Sequence, residues 1–336
     1  MHTLRRIVVC VFLCSTAIAA RPLCAQEVSL RYHWTKGEEL RYRQTLQSTT
    51  TVSGTGLPAG SSNASFDSTM IQTFRTVVDD VAADGTATFR QTIESVRLEV
   101  NGPTGRTVFD TATNDNAARD PLSQGLSAVY SAMIGESVTI VTSPTGVVRK
   151  IDGMTRIFEK MMAAQPGGPI PAGALEGLKN SFSDEAMRDM TGRGFAAFPD
   201  RPLKPGDAWD EQFTTSVPMF GTVSTARTWT FQGIESRTGA AVARFTATHT
   251  IKTDPSKPAS GAPSSAPSPI IMEPGGNTGD SDVLFDMTRG RLLSVTTHMT
   301  QAMTVSIPAA NAGSAMSMRT IGKTTMLMEL LDASSR

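Results

Sequence analysis

From Leu293 to Ile307 the chain alternates with a period of two and no interruption. The odd positions read Leu293, Val295, Thr297, Met299, Gln301, Met303, Val305 and Ile307, and between them stand only Ser, Thr, His and Ala. Successive side chains of a strand point to opposite faces, so this pattern buries one face and wets the other. At about 15 residues it is far longer than the usual strand. Twist accumulates along such a strand, and the pattern predicts a strongly curved antiparallel sheet.

The signature recurs. Leu40, Tyr42 and Leu46 share a face, as do Met70, Phe74 and Val78 in the following run. Ala87, Phe89 and Ile93 share another, after which the phase slips to Val96, Leu98 and Val100. A slip of one residue inverts the faces, so a β-bulge is expected near Ser95. Asp84-Gly85 is a hairpin signal between these two runs, and Thr238-Gly239 separates TARTWTFQGI from AAVARFTATHTI.

Helical spacing is confined to the middle of the chain. Met154, Ile157, Phe158, Met161 and Met162 follow the i, i+3, i+4, i+7, i+8 rule, with Gly153 before them and PGGP after. Leu175, Leu178 and Phe182 continue the pattern. Ser183 then reads as the N-cap of DEAMRDM, whose Asp184 and Glu185 suit a first turn. A shorter helix is expected over 122–133, after Pro121.

The two halves echo each other. Lys36-Gly37-Glu38 introduces LRYRQTL, and Lys204-Pro205-Gly206-Asp207 introduces AWDEQFT. A glycine hairpin, a Phe-Asp step (Phe109-Asp110, Phe285-Asp286) and a small turn (Gly146, Gly290) follow in each half. Between the last two features the first half carries roughly 32 more residues. The echo is either an internal duplication or a coincidence among glycine turns. The expected class is α+β, mostly antiparallel β: two long-stranded, curved, half-barrel-like sheets with a few central helices. FPDRPLKPGDAW divides a first half, 26–197, with a helical insertion, from a second half, 198–336. Within the latter, 254–280 is rich in Pro, Ser and Gly and reads as a disordered loop.

Residues 1–25 read as a cleaved signal peptide. Arg5 and Arg6 precede an apolar run, Ile7 to Ile18, too short to span a bilayer, and Ala25 is the favoured cleavage point. Cys14 and Cys24 follow Leu rather than small residues, so lipidation is not expected. All three cysteines leave with the leader, which excludes disulfides and thiol chemistry from the mature chain. No later run reaches membrane length, and a periplasmic or secreted location follows. Basic and acidic residues number 31 each. With no basic stripe, nucleic acid is not an expected partner.

Catalytic signatures are missing. His249 and His298 lie in strand patterns; they could reach a metal only by meeting across strands, and no metal is expected. Ser127 in GLSAV imitates a nucleophile elbow without its second glycine. Asp280 and Asp282 read as a solvated turn, and Glu94, Glu99 and Asp110 are not paired by spacing. No cofactor motif is present, and the chain is not expected to be an enzyme.

Methionine is the unusual residue, with 17 in the chain. Met154, Ile157, Phe158, Met161, Met162, Met187 and Met190 would line a greasy groove between helices and sheet, or else fill an ordinary core. The groove reading predicts a hydrophobic ligand such as a lipid, an acyl chain or a lipoprotein. The alternative is an envelope scaffold or protein-interaction module with no small-molecule pocket.

Tyr32, Trp34, Lys36, Gly37, Leu40, Arg41, Tyr42 and Arg43 form a YxWxKGxxLRYR opening. With SPTGVV, FPDRPLKPGDAW and the late Phe285, Asp286, Gly290, Arg291 and Leu292, it resembles an uncharacterised bacterial family of exported proteins. The resemblance implies no enzyme. Many members carry a lipoprotein cysteine, which this chain lacks. The long curved strands are also similar, at the level of fold, to the half-barrels of periplasmic lipoprotein carriers.

Overall fold

The computed structural model describes residues 27–55, 64–103, 105–113, 130–164, 179, 182–192, 196–217, 221–237, 239–254, 270–273, 276–307 and 316–331. The expected signal peptide lies outside them, as do Leu175, Leu178, most of the helix expected over 122–133 and the stretch 255–269.

One antiparallel sheet organises the chain. β1 (Glu39–Thr55), β2 (Ala64–Val81) and β3 (Ala87–Gly102) form a meander of long strands. β4 (Gly105–Asp110) and β5 (Ser137–Thr142) lie end to end along β3, and β6 (Val148–Asp152) closes that arm as an edge. The second arm begins at the opposite edge with β7 (Ala208–Val217), followed by β8 (Gly221–Arg237) and β9 (Ala240–Asp254). β10 (Ile270–Met272) and β11 (Thr278–Asp286) lie end to end along β12 (Arg291–Ile307). β13 (Met316–Leu331) lies between β12 and β1, so the order is β6-β5-β3-β2-β1-β13-β12-β11-β9-β8-β7.

The expected pair of sheets is therefore a single sheet. β13 is hydrogen-bonded along its length to β1 on one side and β12 on the other. An unpaired edge leaves backbone donors and acceptors unsatisfied, and β13 removes the two edges at which separate sheets would have ended. Periodicity shows which residues form a strand but not which strand lies beside it. The loop expected over 254–280 is corrected as well, since it contains β10 and the start of β11.

The bulge falls where the phase slip placed it. Ser95 faces Thr73 and Ile93 faces Phe74, so Glu94 is the extra residue, and Val96 stays on the core face with Phe89. Arg41 and Arg75 take the carboxylate of Glu94 at 3.0 and 3.6 Å. A second bulge corrects the opening pattern: Leu292, not Leu293, sits opposite Phe285 and is buried, and regular alternation begins at Ser294.

Two clusters pack on the core face. One gathers Phe231, Phe245, Val283, Phe285 and Leu292 from the second arm with Val28, Leu30, Tyr32, Phe198 and Leu203 from two connecting segments. The other gathers Ala87, Phe89, Ile140 and Ile151 with helix α1 (Met154–Ala164). Trp34 packs against both, stacking on Tyr32 and meeting Phe89 at a tilt.

The connecting segments tie the arms together. Val28 and Leu203 exchange backbone hydrogen bonds at 2.8 and 2.9 Å. The amide of Tyr32 donates to Pro144 in the β5–β6 turn, and that of His33 donates to Gly290 in the β11–β12 turn. Both turns use a glycine at positive φ, +89° at Gly146 and +64° at Gly290. A Cβ there would fall 2.6 Å from the Ala196 oxygen and 2.5 Å from the His33 nitrogen, so close approach and backbone both require glycine.

Candidate functional site

Helix α1 and helix α2 (Asp184–Gly192) carry the methionines of the expected groove. Ser183 caps α2 as its position suggests, accepting from the amide of Ala186 at 3.2 Å, and Asp184 reaches back to accept from the amide of Met154 at 2.9 Å. Met154 and Ile157 are members of the second core cluster, and Met161 and Met187 pack against it half-buried. Phe158 is buried and stacks on Phe182 with ring centres 5.5 Å apart. Met162 is half-buried; Met190 belongs to α2, but its side chain lies outside the described residues.

A hollow of about 610 Å³ lies elsewhere, across β2, β1, β13, β12 and β11. Three successive residues from each strand line it, among them Gln47, Thr49, Asp67, Asp280, His298 and Lys323. Its walls are hydroxyl, amide and charged groups, and Met299 is the large apolar member. It is a polar hollow, distinct from the groove read from the helices.

The core face of the second arm holds a buried polar chain that the sequence reading missed. The Nε–H of Arg227 donates to His249 Nδ1 at 3.1 Å. His249 Nε2 lies 2.7 Å from Ser281 Oγ, which lies 2.8 Å from Thr297 Oγ1. Arg227 also faces Glu211 at 3.5 Å, and that carboxylate accepts from the indole of Trp229 at 2.8 Å. The guanidinium sits 5.5 and 5.2 Å from the ring centres of Phe213 and Trp229. A signal was available: His249, Ser281 and Thr297 each stand in a mostly apolar phase of their strand.

The direction of these bonds decides what the chain can do. A guanidinium only donates, so His249 Nδ1 must accept. The neutral ring then carries its proton on Nε2 and donates it to Ser281. Burial first, and Arg227 second, push the His249 imidazole down to about 4, against a weaker opposing pull from Asp280, so the ring is neutral at pH 7. A histidine that activates a serine must accept at the nitrogen facing the hydroxyl. His249 donates there, so Ser281 is hydrogen-bonded but not activated.

His249 and His298 do not meet. His249 is buried on the core face opposite Gly279, whereas His298 is exposed on the other face opposite Asp280, next to Thr325. Among the described residues no three His, Cys, Asp or Glu side chains gather as metal ligands would. Asp282 is paired with Arg244. No helix among the described residues is long and apolar enough to cross a membrane.

No curated protein matches the chain. Among solved structures, a lipovitellin chain, from a structure titled for its lipid–protein interactions, shares 10% identity at a TM-score of 0.41. The overlap covers 90% of this chain but 26% of lipovitellin, so the chain spans about a quarter of that protein. The outer membrane protein OprG of Pseudomonas aeruginosa shares 8% identity over 91% of this chain and 100% of its own, at a TM-score of 0.23. A protein-family model described as a family of unknown function, DUF6263, matches residues 84–266, more than half of the sequence. The chain belongs to that family.

Proposed function

We propose that the protein is a non-catalytic binding protein of the bacterial envelope, exported by its leader, whose sheet curves as an open half-barrel around a hydrophobic ligand. One observation carries this reading. On the core face, Leu98, Met70, Leu46 and Met326 stand directly opposite one another across β3, β2, β1 and β13. All four are half-buried, and none belongs to either core cluster. Methionine is flexible and polarizable, which suits a surface that adapts to an acyl chain. The absence of catalysis is supported by the direction of the Arg227–His249–Ser281 bonds, which leaves the buried serine without a base.

Native mass spectrometry after mild purification tests the reading. The expected result is a co-purifying lipid or lipoprotein that Met326→Glu removes without unfolding the sheet. Purified protein that neither carries nor takes up an acyl ligand would contradict it.

A second reading, an interaction module, is favoured by β7. It spans ten residues, is paired among the described residues only with β8, and carries no Lys or Pro to blunt its edge. Capture of a partner from envelope extracts that is lost in Thr214→Pro, with no lipid bound, would favour it instead.

A further inference from the structure

The apolar row on the core face does not stop at Met326. Its next two members are Thr297 on β12 and Ser281 on β11, each directly opposite its neighbour. The row Leu98–Met70–Leu46–Met326–Thr297–Ser281 is therefore apolar for four strands and then joins the buried polar chain. At roughly 4.8 Å per strand, the apolar part runs about 14 Å.

The hydrogens of that chain point one way. Arg227 donates to His249, and His249 Nε2–H then donates to Ser281. Ser281 Oγ accepts there and lies 2.8 Å from Thr297 Oγ1, and a buried hydroxyl that already accepts is satisfied in full when its own hydrogen goes to that oxygen. The Thr297 hydroxyl hydrogen is left to donate onward. Each bond polarises the next, and the series starts at a positive guanidinium, so the last donor is strengthened. Burial follows the same gradient: His249 and Ser281 are buried, while Thr297 is half-buried beside Met326.

We infer that Thr297 is the head-group contact of an acyl-chain site, donating to an oxygen acceptor of the ligand while the tail lies over Met326, Leu46, Met70 and Leu98. The electrostatic match is between a relay of donors anchored on Arg227 and the carboxylate or ester carbonyl that ends a fatty-acyl chain. The inference rests on the hydrophobic-ligand reading and adds to it the class of ligand and the residue that recognises its polar end.

Equilibrium binding of palmitate, monopalmitoylglycerol and hexadecane to the full mature chain tests it. Wild type should bind at least one of the two oxygenated ligands about tenfold or more tightly than hexadecane. Binding of palmitate alone identifies the carboxylate as the acceptor, and binding of both identifies the shared carbonyl oxygen. Thr297→Val, nearly the same shape and well suited to a strand, should erase the preference, and Thr297→Ser should restore it. Equal binding of all three ligands by wild type, or an unchanged preference in a folded Thr297→Val, overturns the inference and leaves the hydrophobic-ligand reading standing. Failure of wild type to bind any of the three removes both.

Discussion

The two arms of the sheet use the same strand order and close their cores differently. In the second arm β10 and β11 run along β12 with only residues 273–277 between them. In the first arm β4 and β5 run along β3, with residues 111–136 between them in sequence. The short interruption leaves a core made by the sheet and the connecting segments, with Phe245, Phe285 and Phe231 at its centre. The first arm completes its core with α1, through Met154 and Ile157. The first arm thus covers Phe89 and Ile140 with a helix that follows β6, where the second arm uses the connecting segments around Tyr32 and Phe198. The Phe-Asp steps show the limit of the echo. Phe109 pairs with Leu98 high on β3, whereas Phe285 lies low, beside Ala243. Both aspartates nevertheless end a strand by accepting from the amide two residues on, Ala112 and Thr288, at 2.9 and 2.8 Å.

If the second arm is the rigid part, Phe285→Ala should be the most damaging change, costing about 3–5 kcal/mol and unfolding both arms in one transition. Ile157→Ala should cost about 2–4 kcal/mol, and hydrogen exchange should show α1 and α2 opening while the sheet stays protected. Loss of sheet protection in Ile157→Ala would erase the difference between the arms.

The equivalent turns should respond alike. Gly146→Ala and Gly290→Ala each add left-handed strain and a backbone clash, and each should cost roughly 2–4 kcal/mol in denaturant unfolding. Gly239→Ala, at φ +83° with nothing within 4 Å of the added Cβ, should cost only about 1 kcal/mol. Equal losses at all three sites would mean that Tyr32 and His33 do not clamp the two turns.

The buried imidazole belongs to the second arm alone and sets a pH dependence there. Unfolded, His249 titrates near 6.5, and folded near 4, so in that window the unfolded chain binds more protons. Its contribution is complete above about 6.5, is lost as the pH falls to about 4, and changes no further below that. The amount is on the order of 3 kcal/mol. His249→Gln should flatten this segment of a melting-temperature profile; an unaltered slope would show that the ring is not buried neutral. The smallest effect belongs to the first arm. Ser183→Ala removes the cap of α2 and should cost about 1 kcal/mol by thermal melting.

Much of this was legible beforehand. The strands, the hairpins at Gly85 and Gly239, the bulge at Glu94 and the cap at Ser183 all follow from rules that act within a few residues. The polar chain was not legible. Arg227, His249, Ser281 and Thr297 lie on four strands whose adjacency no local rule supplies, so polar positions inside apolar phases could be read but not that they meet. The helix methionines were legible as an apolar face but not as the surface that seals Phe89 and Ile140.

By itself, therefore, the sequence determined the elements: which residues alternate, where the backbone must turn, and which face of each strand is apolar. Those properties depend on a period of two, on glycine's freedom at positive φ, and on one hydroxyl capping one helix. Only the tertiary structure decided that β13 joins two arms into one sheet, that Tyr32 and His33 hold two distant turns, and that the apolar row continues into Thr297 and Ser281. These outcomes depend on hydrogen bonds and contacts between residues as much as 290 positions apart, as between Arg41 and Leu331, and register between distant strands settles them.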